Sequence, residues 1–454
     1  MSSAKNRSYT IDMCSGRIAG KMLMFAIPLM LSSILQLLFN AADVIVVGRF
    51  AGDNSLAAVG STSSLVNLLT NVFLGLSVGA NVSVAKYIGA GRDEDVSSTV
   101  HTALCLAIFS GALLTVIGCL GARTILTWMS SPAEVIDLSA LYLRIFFVGM
   151  IPNMLYNFGA AIMRSVGDTR RPLYYLFFAG IVNVILNLIF VIVFSMDVAG
   201  VALATIISQT ISAVLVLRCL IRERSAIRFD IRKLRIDRRI CGEILRIGLP
   251  SGFQGLLFSL SNVIIQSAVN SFGATVVAAN SAAANIEGFV WVSMNAFHQA
   301  AITFTGQNYG AGKRDRVLHV MKDALIFVIL TGLILGRGVY HFGIPLMGLY
   351  TANPEVARLG LVRIEWVCGL YFLCGMMDVM VGVLRGIGYS VLPMIVSLIG
   401  ACGLRIIWIF TFFRTGRFHS PMYLYITYPV SWGITFLFHI ICFSVVWRKI
   451  GRRD

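Results

Sequence analysis

The chain has 454 residues, of which 57% are apolar and only 13% are charged, and its net charge is +16. Soluble domains carry about a quarter charged residues, so this composition excludes a soluble globular protein and predicts a polytopic membrane protein. The positive charge does not indicate nucleic-acid binding. Most of the 37 lysines and arginines fall in segments predicted to be cytoplasmic, in agreement with the positive-inside rule.

Twelve apolar stretches are long enough to be membrane-spanning helices. A helix needs about 20 apolar residues to cross the hydrocarbon core of a bilayer, and the first stretch is too long for the core of a cleavable signal peptide. We therefore predict an all-α integral membrane protein with twelve transmembrane helices, placed in the cell membrane. The predicted spans are 22–47, 57–84, 98–120, 138–163, 172–195, 199–221, 245–271, 277–304, 318–342, 358–384, 391–413 and 422–447.

Two segments recur at a constant distance along the chain. Residues 88–95 read IGAGRDED and residues 309–316 read YGAGKRDR, while residues 164–172 read RSVGDTRRP and residues 385–393 read RGIGYSVLP. The offset is 221 residues in both pairs. A long repeat in an apolar chain predicts a duplicated membrane bundle, which is typical of secondary transporters with a substrate site between the repeats.

The only sizeable polar segment in mid-chain divides the two halves. We predict an N-terminal six-helix bundle over residues 1–221, a basic cytoplasmic linker over 222–244 and a C-terminal six-helix bundle over 245–454. Because six is an even number, both halves enter the membrane in the same orientation. The bundles are then parallel repeats related by a pseudo-two-fold axis, and both termini are cytoplasmic.

Four polar side chains stand out within the predicted spans of the N-terminal half. Asp43 in the first span is the clearest, because ionisable groups inside a membrane are costly and are functional candidates. Asn183 and Asn187 in the fifth span share one helical face, and Thr205 follows in the sixth. Their oxygens suit a sodium site or the surroundings of a protonatable aspartate. The amides and the hydroxyl, taken singly, equally suit hydrogen bonds between helices.

The polar residues of the C-terminal half form a less regular set. Glu287 and Asp378 are acids in the eighth and tenth spans, and a buried Arg363 paired with one of them would be structural as often as functional. Gln254 and Asn262 in the seventh span suit either a cavity lining or hydrogen bonds between helices. We predict that Gln254, Asn262, Glu287 and Asp378 form a secondary polar site that lines the substrate cavity.

The chain resembles the multidrug and toxic compound extrusion (MATE) family over roughly residues 15–448. The resemblance depends on the two six-helix repeats, on the first-span pattern Pro28 … Asp43-x-x-x-x-Gly48, on the Gly-Ala-Gly-basic turns and on the Arg-x-x-Gly segments after spans 4 and 10. It implies a V-shaped transporter that alternates between outward-facing and inward-facing states. Entry of sodium or protons would drive the export of organic cations and other amphipathic drugs, with no cofactor besides the coupling ion, and a monomer suffices.

The resemblance also implies residue roles. In the branch similar to the DNA-damage-inducible subgroup, a cation site is formed by an Asp in the first span, an Asn and an Asp four residues apart in the fifth, and a Thr in the sixth. These positions match Asp43, Asn183, Asn187 and Thr205, which implies a coupling site for H+ or Na+. Asn187 replaces the fifth-span acid, so the site has one formal negative charge rather than two. Another sodium-driven branch uses a Glu in span 7, where this chain has no acid, and an Asp in span 10, for which Asp378 is the candidate.

Two other functions are compatible with twelve spans. A lipid-linked oligosaccharide flippase of the same superfamily usually lines its cavity with several cationic residues to meet pyrophosphate, and the predicted spans hold few. An integral-membrane transferase would need acidic or His-Asp metal motifs at a membrane face, and the sequence shows none. We therefore predict an antiporter without enzymatic activity, whose partners are amphipathic or cationic small molecules and membrane lipids.

Overall fold

The structure is a computed structural model that describes residues 9–129, 133–415 and 418–452. Within these ranges the chain is almost entirely helical and contains no β-strand, so the predicted all-α class is confirmed. The α-helices are α1 (Ile18–Phe50), α2 (Asp53–Gly89), α3 (Asp93–Trp128), α4 (Ala133–Val148), α5 (Met150–Ser165), α6 (Arg170–Leu188), α7 (Asp197–Arg222), α8 (Arg238–Asn270), α9 (Ala274–Gly310), α10 (Arg314–His341), α11 (Gly343–Gly348), α12 (Pro354–Arg363), α13 (Phe372–Gly386), α14 (Val391–Ser397), α15 (Leu404–Phe410), α16 (Pro421–Tyr425) and α17 (Thr427–Gly451).

Nine to eleven of the twelve predicted spans meet a criterion of length and apolar content within the described residues. In the described ranges nine helical segments are long and apolar enough to cross a membrane, or up to eleven if two pairs bent by 48° and 40° each form one span. The predicted span 277–304 falls within α9, which has 37 residues but is not among these candidates. Polar residues such as Asn280, Asn285 and Glu287 lower its apolar content. A strongly polar face in a long helix indicates contact with protein or water rather than lipid.

Short π-helical segments interrupt three of the longer helical regions. Ile189–Val193 continues α6, Ile364–Cys368 continues α12, and Leu398–Gly403 joins α14 to α15. π-Helical segments are rare in proteins, and those that occur often lie at functional sites. The helix that carries Asn183 and Asn187 therefore departs from regular α geometry just after these residues.

The repeat seen in the sequence also appears in the backbone. Gly52 and Gly273 precede α2 and α9 with φ angles of +87° and +88°, and Gly91 and Gly312 occupy the following turns with φ angles of +66° and +70°. Residues with a side chain rarely adopt such angles. Equivalent turns in the two halves thus require glycine for the same conformational reason.

The chain forms two compact units. Unit 1 consists of the chain up to Met13 and of Leu31–Gly252, and unit 2 consists of Cys14–Met30 and of the chain from Phe253 onward. The divisions fall inside α1 and α8, close to Pro28 and Pro250. The predicted boundaries near residues 221 and 245 remain a prediction. Between α7 and α8 the structure has a shorter connection than the predicted linker, since α8 already begins at Arg238.

The core of unit 1 surrounds α3 and α5. α3 packs along α4 and α5, and α5 also packs against α2 and α7. Phe147, Met150, Met154 and Phe158 are fully buried or nearly so in this core. α6 packs on α7, which places the polar face of α6 in a fixed position beside the core.

The core of unit 2 surrounds α9 and α13. α9 packs against α10, α12 and α13, while α13 also packs against α17. The ring of Phe297 stacks on that of Phe327 with 5.7 Å between centroids, and Phe304 meets Phe25 of the first part of α1 edge to face at 5.7 Å. Unit 2 thus takes the N-terminal part of α1 into its own core.

Candidate functional site

The candidate site of unit 1 lies where the second part of α1 passes α6. Asn187 Nδ2 donates a hydrogen bond to Asp43 Oδ1 at 2.5 Å, and it also donates to Asn183 Oδ1 at 3.3 Å. The two helices come this close because Gly180, about two turns before Asn187, has no side chain where the Phe39 ring lies. The structure therefore brings three of the four predicted N-terminal residues into one hydrogen-bonded cluster.

A cavity of about 570 Å³ lies beside this cluster. Asp43 contributes its only carboxylate, and no lysine, arginine or histidine belongs to the lining found among the described residues. Thr205 also lines the cavity, but its hydroxyl donates to the Val201 carbonyl at 2.9 Å, so only its lone pairs are available to a ligand. The carboxamides of the lining are those of Gln36, Asn40, Asn67, Asn153, Asn157, Asn183 and Gln209.

The electrostatics of the cluster favour a positive charge. Within the described part of the chain, no basic side chain forms an ion pair with Asp43. Asn187 is fully buried, and its Oδ1 atom has no hydrogen-bond partner. The half-buried carboxylate gains from a proton, a metal cation or an ammonium group, and the unsatisfied amide oxygen gains from a metal cation or a hydrogen-bond donor. The oxygen types fit the hard ligands that sodium needs.

In unit 2 Glu287 belongs to a different kind of site. Arg363 donates two hydrogen bonds to Glu287 Oε2, from Nη2 at 2.6 Å and from Nε at 3.0 Å, and a third from Nη1 to Asn280 Oδ1 at 2.7 Å. Asn280 in turn donates to Gln266 at 3.1 Å. The guanidinium also lies over the rings of Tyr425 and Tyr428, at 5.6 and 5.5 Å from their centroids. This saturated buried pair is typical of a structural network.

The other three predicted residues of unit 2 do not join that network. Gln254 is buried on α8 and accepts a hydrogen bond from Arg385 Nη2 at 2.8 Å. The backbone carbonyl of Asp378 lies 2.5 Å from His298 Nδ1, and its carboxylate interacts electrostatically with Arg385. Asn262 is exposed on α8. The predicted secondary polar site is thus spread over separate surroundings, and a common role for its residues remains a prediction.

Several residues of these sites were not singled out by the sequence analysis. Asn153 and Asn157 line the unit 1 cavity, and Asn157 Nδ2 donates to Asn153 Oδ1 at 2.7 Å. Their spacing of four matches that of Asn183 and Asn187, and this was the signal that could have revealed them. Arg385 in unit 2 carried no such signal, because its segment resembled a turn after a span.

Comparison with known proteins identifies the family. The sequence profile of the MatE family matches the chain twice, at residues 28–189 and 250–411. The two matches begin 222 residues apart and end 222 residues apart. The duplication predicted from the turn segments is therefore confirmed by two separate matches to one family.

Similar proteins cover almost the same length. The chain is 27% identical to the probable multidrug resistance protein YoeA of Bacillus subtilis, over 94% of each chain. It is 26% identical to the probable multidrug resistance protein NorM of Thermotoga maritima, over 84% of this chain and 83% of that protein. It is 24% identical to a FAD transporter of Shewanella oneidensis, over 80% of this chain and 79% of that protein.

The fold matches solved structures of MATE transporters. An outward-facing multidrug resistance MATE family transporter aligns with a TM-score of 0.88 at 21% identity, covering 96% of this chain and 98% of the other. A P26A mutant of a MATE protein aligns with a TM-score of 0.89, with the same identity and coverage. These likenesses establish the fold, and the two profile matches cover more than half of the chain. The chain therefore belongs to the MatE family and is a multi-pass membrane transporter.

Proposed function

We propose that this transporter is an antiporter that exports organic cations and other amphipathic drugs by alternating access, driven by entry of protons or sodium ions. The observation that carries the proposal is the Asp43–Asn187–Asn183 cluster beside a cavity whose lining has one carboxylate and no basic side chain. The names of the similar proteins from Bacillus subtilis and Thermotoga maritima support drug export.

Asp43 is the coupling residue of this proposal. A half-buried carboxylate without a counter-ion is unstable in a membrane, so the cluster demands a positive charge at every stage of the cycle. A proton, a sodium ion and the ammonium group of a substrate can each satisfy that demand, and they exclude one another at a single carboxylate. Exchange of one for another would bias α1 and α6 between two arrangements, provided that affinities differ between the two states.

Thr205, Asn183 and Asn187 would complete the cation site. The amide and hydroxyl oxygens are neutral ligands, so the site has a single formal negative charge. That charge suffices for a proton but favours sodium less strongly than two carboxylates would. The coupling ion is therefore H+ or Na+, and the similarity to the DNA-damage-inducible branch stays a prediction.

The cavity also suits the proposed substrates. The rings of Phe39, Tyr142, Phe146 and Tyr156 provide apolar and π surface in its lining, and aromatic faces attract organic cations. A pyrophosphate-linked oligosaccharide would need basic side chains, which the described lining does not contain. We further propose that the protein acts as a monomer in the cell membrane.

Ethidium efflux from pump-deficient bacteria tests the proposal. Cells that express the wild-type chain should clear the dye, and Asp43→Asn should abolish energy-dependent efflux because the amide does not titrate and lacks the negative charge that attracts a cation. The matched control is Asp197→Asn, since Asp197 is an exposed acid at the start of α7. It has a positive φ angle that asparagine tolerates.

Three outcomes separate the alternatives at matched expression. Loss of efflux in Asp43→Asn but not in Asp197→Asn supports coupling in unit 1. Equal efflux in all three proteins rules out Asp43 as the coupling residue and makes Asp378 and Glu287 the candidate coupling residues. No efflux of any of a panel of cationic dyes by the wild-type protein would contradict drug export itself.

A further inference from the structure

Arg405 is a buried charged residue of unit 2 that the proposed coupling site does not explain. Arg405 in α15 is only 4% exposed. Its Nε atom donates to Ser431 Oγ at 2.8 Å, and its guanidinium lies over the rings of Tyr428 and Trp432, at 4.1 and 5.4 Å from their centroids. Aromatic faces and a hydroxyl stabilise a guanidinium in part, but they do not neutralise it.

Two acids inside unit 2 are available as counter-charges to its three buried arginines. Glu287 forms the ion pair with Arg363 at 2.6 Å, whereas Asp378 forms no ion pair among the described residues and interacts electrostatically with Arg385. No carboxylate of the described residues forms an ion pair with Arg405. The interior of unit 2 therefore carries one positive charge more than it carries negative charges among these groups, and a buried charge is stable only when it is paired.

Two buried donors on the same helix lack acceptors. Arg405 Nη2 and Trp408 Nε1 are both buried, and neither has a hydrogen-bond partner. The two residues are three apart on α15, so their side chains leave the helix on one face. A guanidinium N–H and an indole N–H can only donate. Both atoms therefore require an acceptor, and a negatively charged acceptor would also neutralise Arg405.

The internal repeat gives this arrangement a context. Residue 405 is the position 222 beyond Asn183, at the offset that separates the two profile matches. The repeat position that presents an amide in unit 1 thus holds a cation in unit 2. A cation at this position favours an anionic partner, whereas the neutral amide at Asn183 has no such preference.

We propose that Arg405 and Trp408 form a binding site for a small monovalent anion, with Ser431 and the ring of Tyr428 holding the guanidinium in place. The ligand is either an inorganic halide such as chloride or the carboxylate of a small organic acid. Both present a compact single negative charge that accepts N–H hydrogen bonds. The site does not depend on the proposed ion coupling at Asp43.

Thermal unfolding of the purified full-length protein in detergent tests this site. Sodium chloride, sodium bromide and sodium acetate are each compared with the sodium salt of a bulky sulfonate buffer, at constant sodium concentration and ionic strength. A bound anion stabilises the folded state in proportion to the logarithm of its concentration above Kd. We expect a rise of about 1–3 °C in the unfolding midpoint that grows with the logarithm of the anion concentration and that Arg405→Gln abolishes.

The control variant is Arg337→Gln, which removes an exposed arginine of α10 and should retain the full anion effect. A rise with chloride or bromide identifies a halide site, and a rise with acetate alone identifies a carboxylate site. If Arg405→Gln does not fold, wild-type crystals are soaked in bromide, or in bromoacetate where acetate alone raises the midpoint, and should show an anomalous bromine peak beside Arg405. The proposal is overturned if no anion shifts the wild-type midpoint, if Arg405→Gln keeps the shift, or if the matching bromine-containing ligand leaves no peak there.

Discussion

At the scale of single residues, the cluster in unit 1 depends on one amide. Asn187 donates to both Asp43 and Asn183 through the same nitrogen, and this leaves its oxygen buried and unsatisfied. An aspartate at this position would lose the donor and add a second negative charge. The choice of amide or acid at residue 187 therefore controls how strongly the cluster demands a metal cation.

Asn187→Asp is expected to increase the sodium dependence of transport. Two adjacent carboxylates repel each other unless a cation lies between them, so we expect sodium to bind about tenfold more tightly, which corresponds to about 1.4 kcal/mol. The measurement is substrate transport in proteoliposomes with an imposed sodium gradient and no pH gradient. Asn153→Asp, in a pair outside the cluster, is the control. If the transport rate of Asn187→Asp does not depend on the sodium gradient, the residue does not belong to a cation site.

At the level of helices, α2 and the first part of α8 approach each other closely in unit 1. Gly75 and Gly79 of α2 face Gly248 and Gly252 of α8, each pair separated by three residues, as in helix pairs that pack closely in membranes. A Cβ atom at Gly248 would lie 2.6 Å from Leu76 Cα. No rotamer change relieves a clash with backbone, so the helices would have to separate.

Gly248→Ala is expected to destabilise the protein by about 1–3 kcal/mol, the usual cost of overpacking. The control is Gly242→Ala in the same helix, because a Cβ atom there meets nothing within 4 Å. Alanine at an open helical position is expected to stabilise by about 0.5–1 kcal/mol. Thermal unfolding in detergent measures both variants. Equal midpoints would mean that α2 and α8 are not packed as closely as the structure shows.

At the scale of the whole molecule, two copies of one helical pattern have acquired different interiors. The unit 1 cavity has a single acid and no basic group in its described lining, whereas unit 2 buries Arg363, Arg385 and Arg405. The backbone of the repeat is maintained by equivalent glycine turns, while its polar positions have diverged. Duplication thus preserved the fold and left the chemistry of each half free to change.

The basic C-terminal end is expected to lie in the cytoplasm. Arg448 and Lys449 are the basic residues in the last turn of α17, and positive charge beside a span is retained on the cytoplasmic side. A green fluorescent protein fused after the last residue should fluoresce, and alkaline phosphatase fused there should be inactive. The opposite pattern would contradict the predicted orientation of all spans.

The class of the protein follows from its amino-acid sequence alone. Its apolar content requires helices in lipid, and its repeated turns reveal a duplication, because span length and turn glycines are local properties. The polar residues of α9 are also visible in the sequence, and they distinguish this predicted span from the more apolar ones.

The contacts between polar side chains depend on the tertiary structure and could not be predicted from the sequence. The sequence placed Asp43, Asn183 and Asn187 inside spans, and the structure joined them because Gly180 lets Phe39 approach α6. Glu287 appeared equivalent to Asp378 along the chain, yet among the described residues Arg363 forms an ion pair with Glu287 and none with Asp378. The partner of a buried charge depends on which helix faces it across the bundle. The two partners are tens of residues apart in the sequence, so no local sequence pattern predicts their contact.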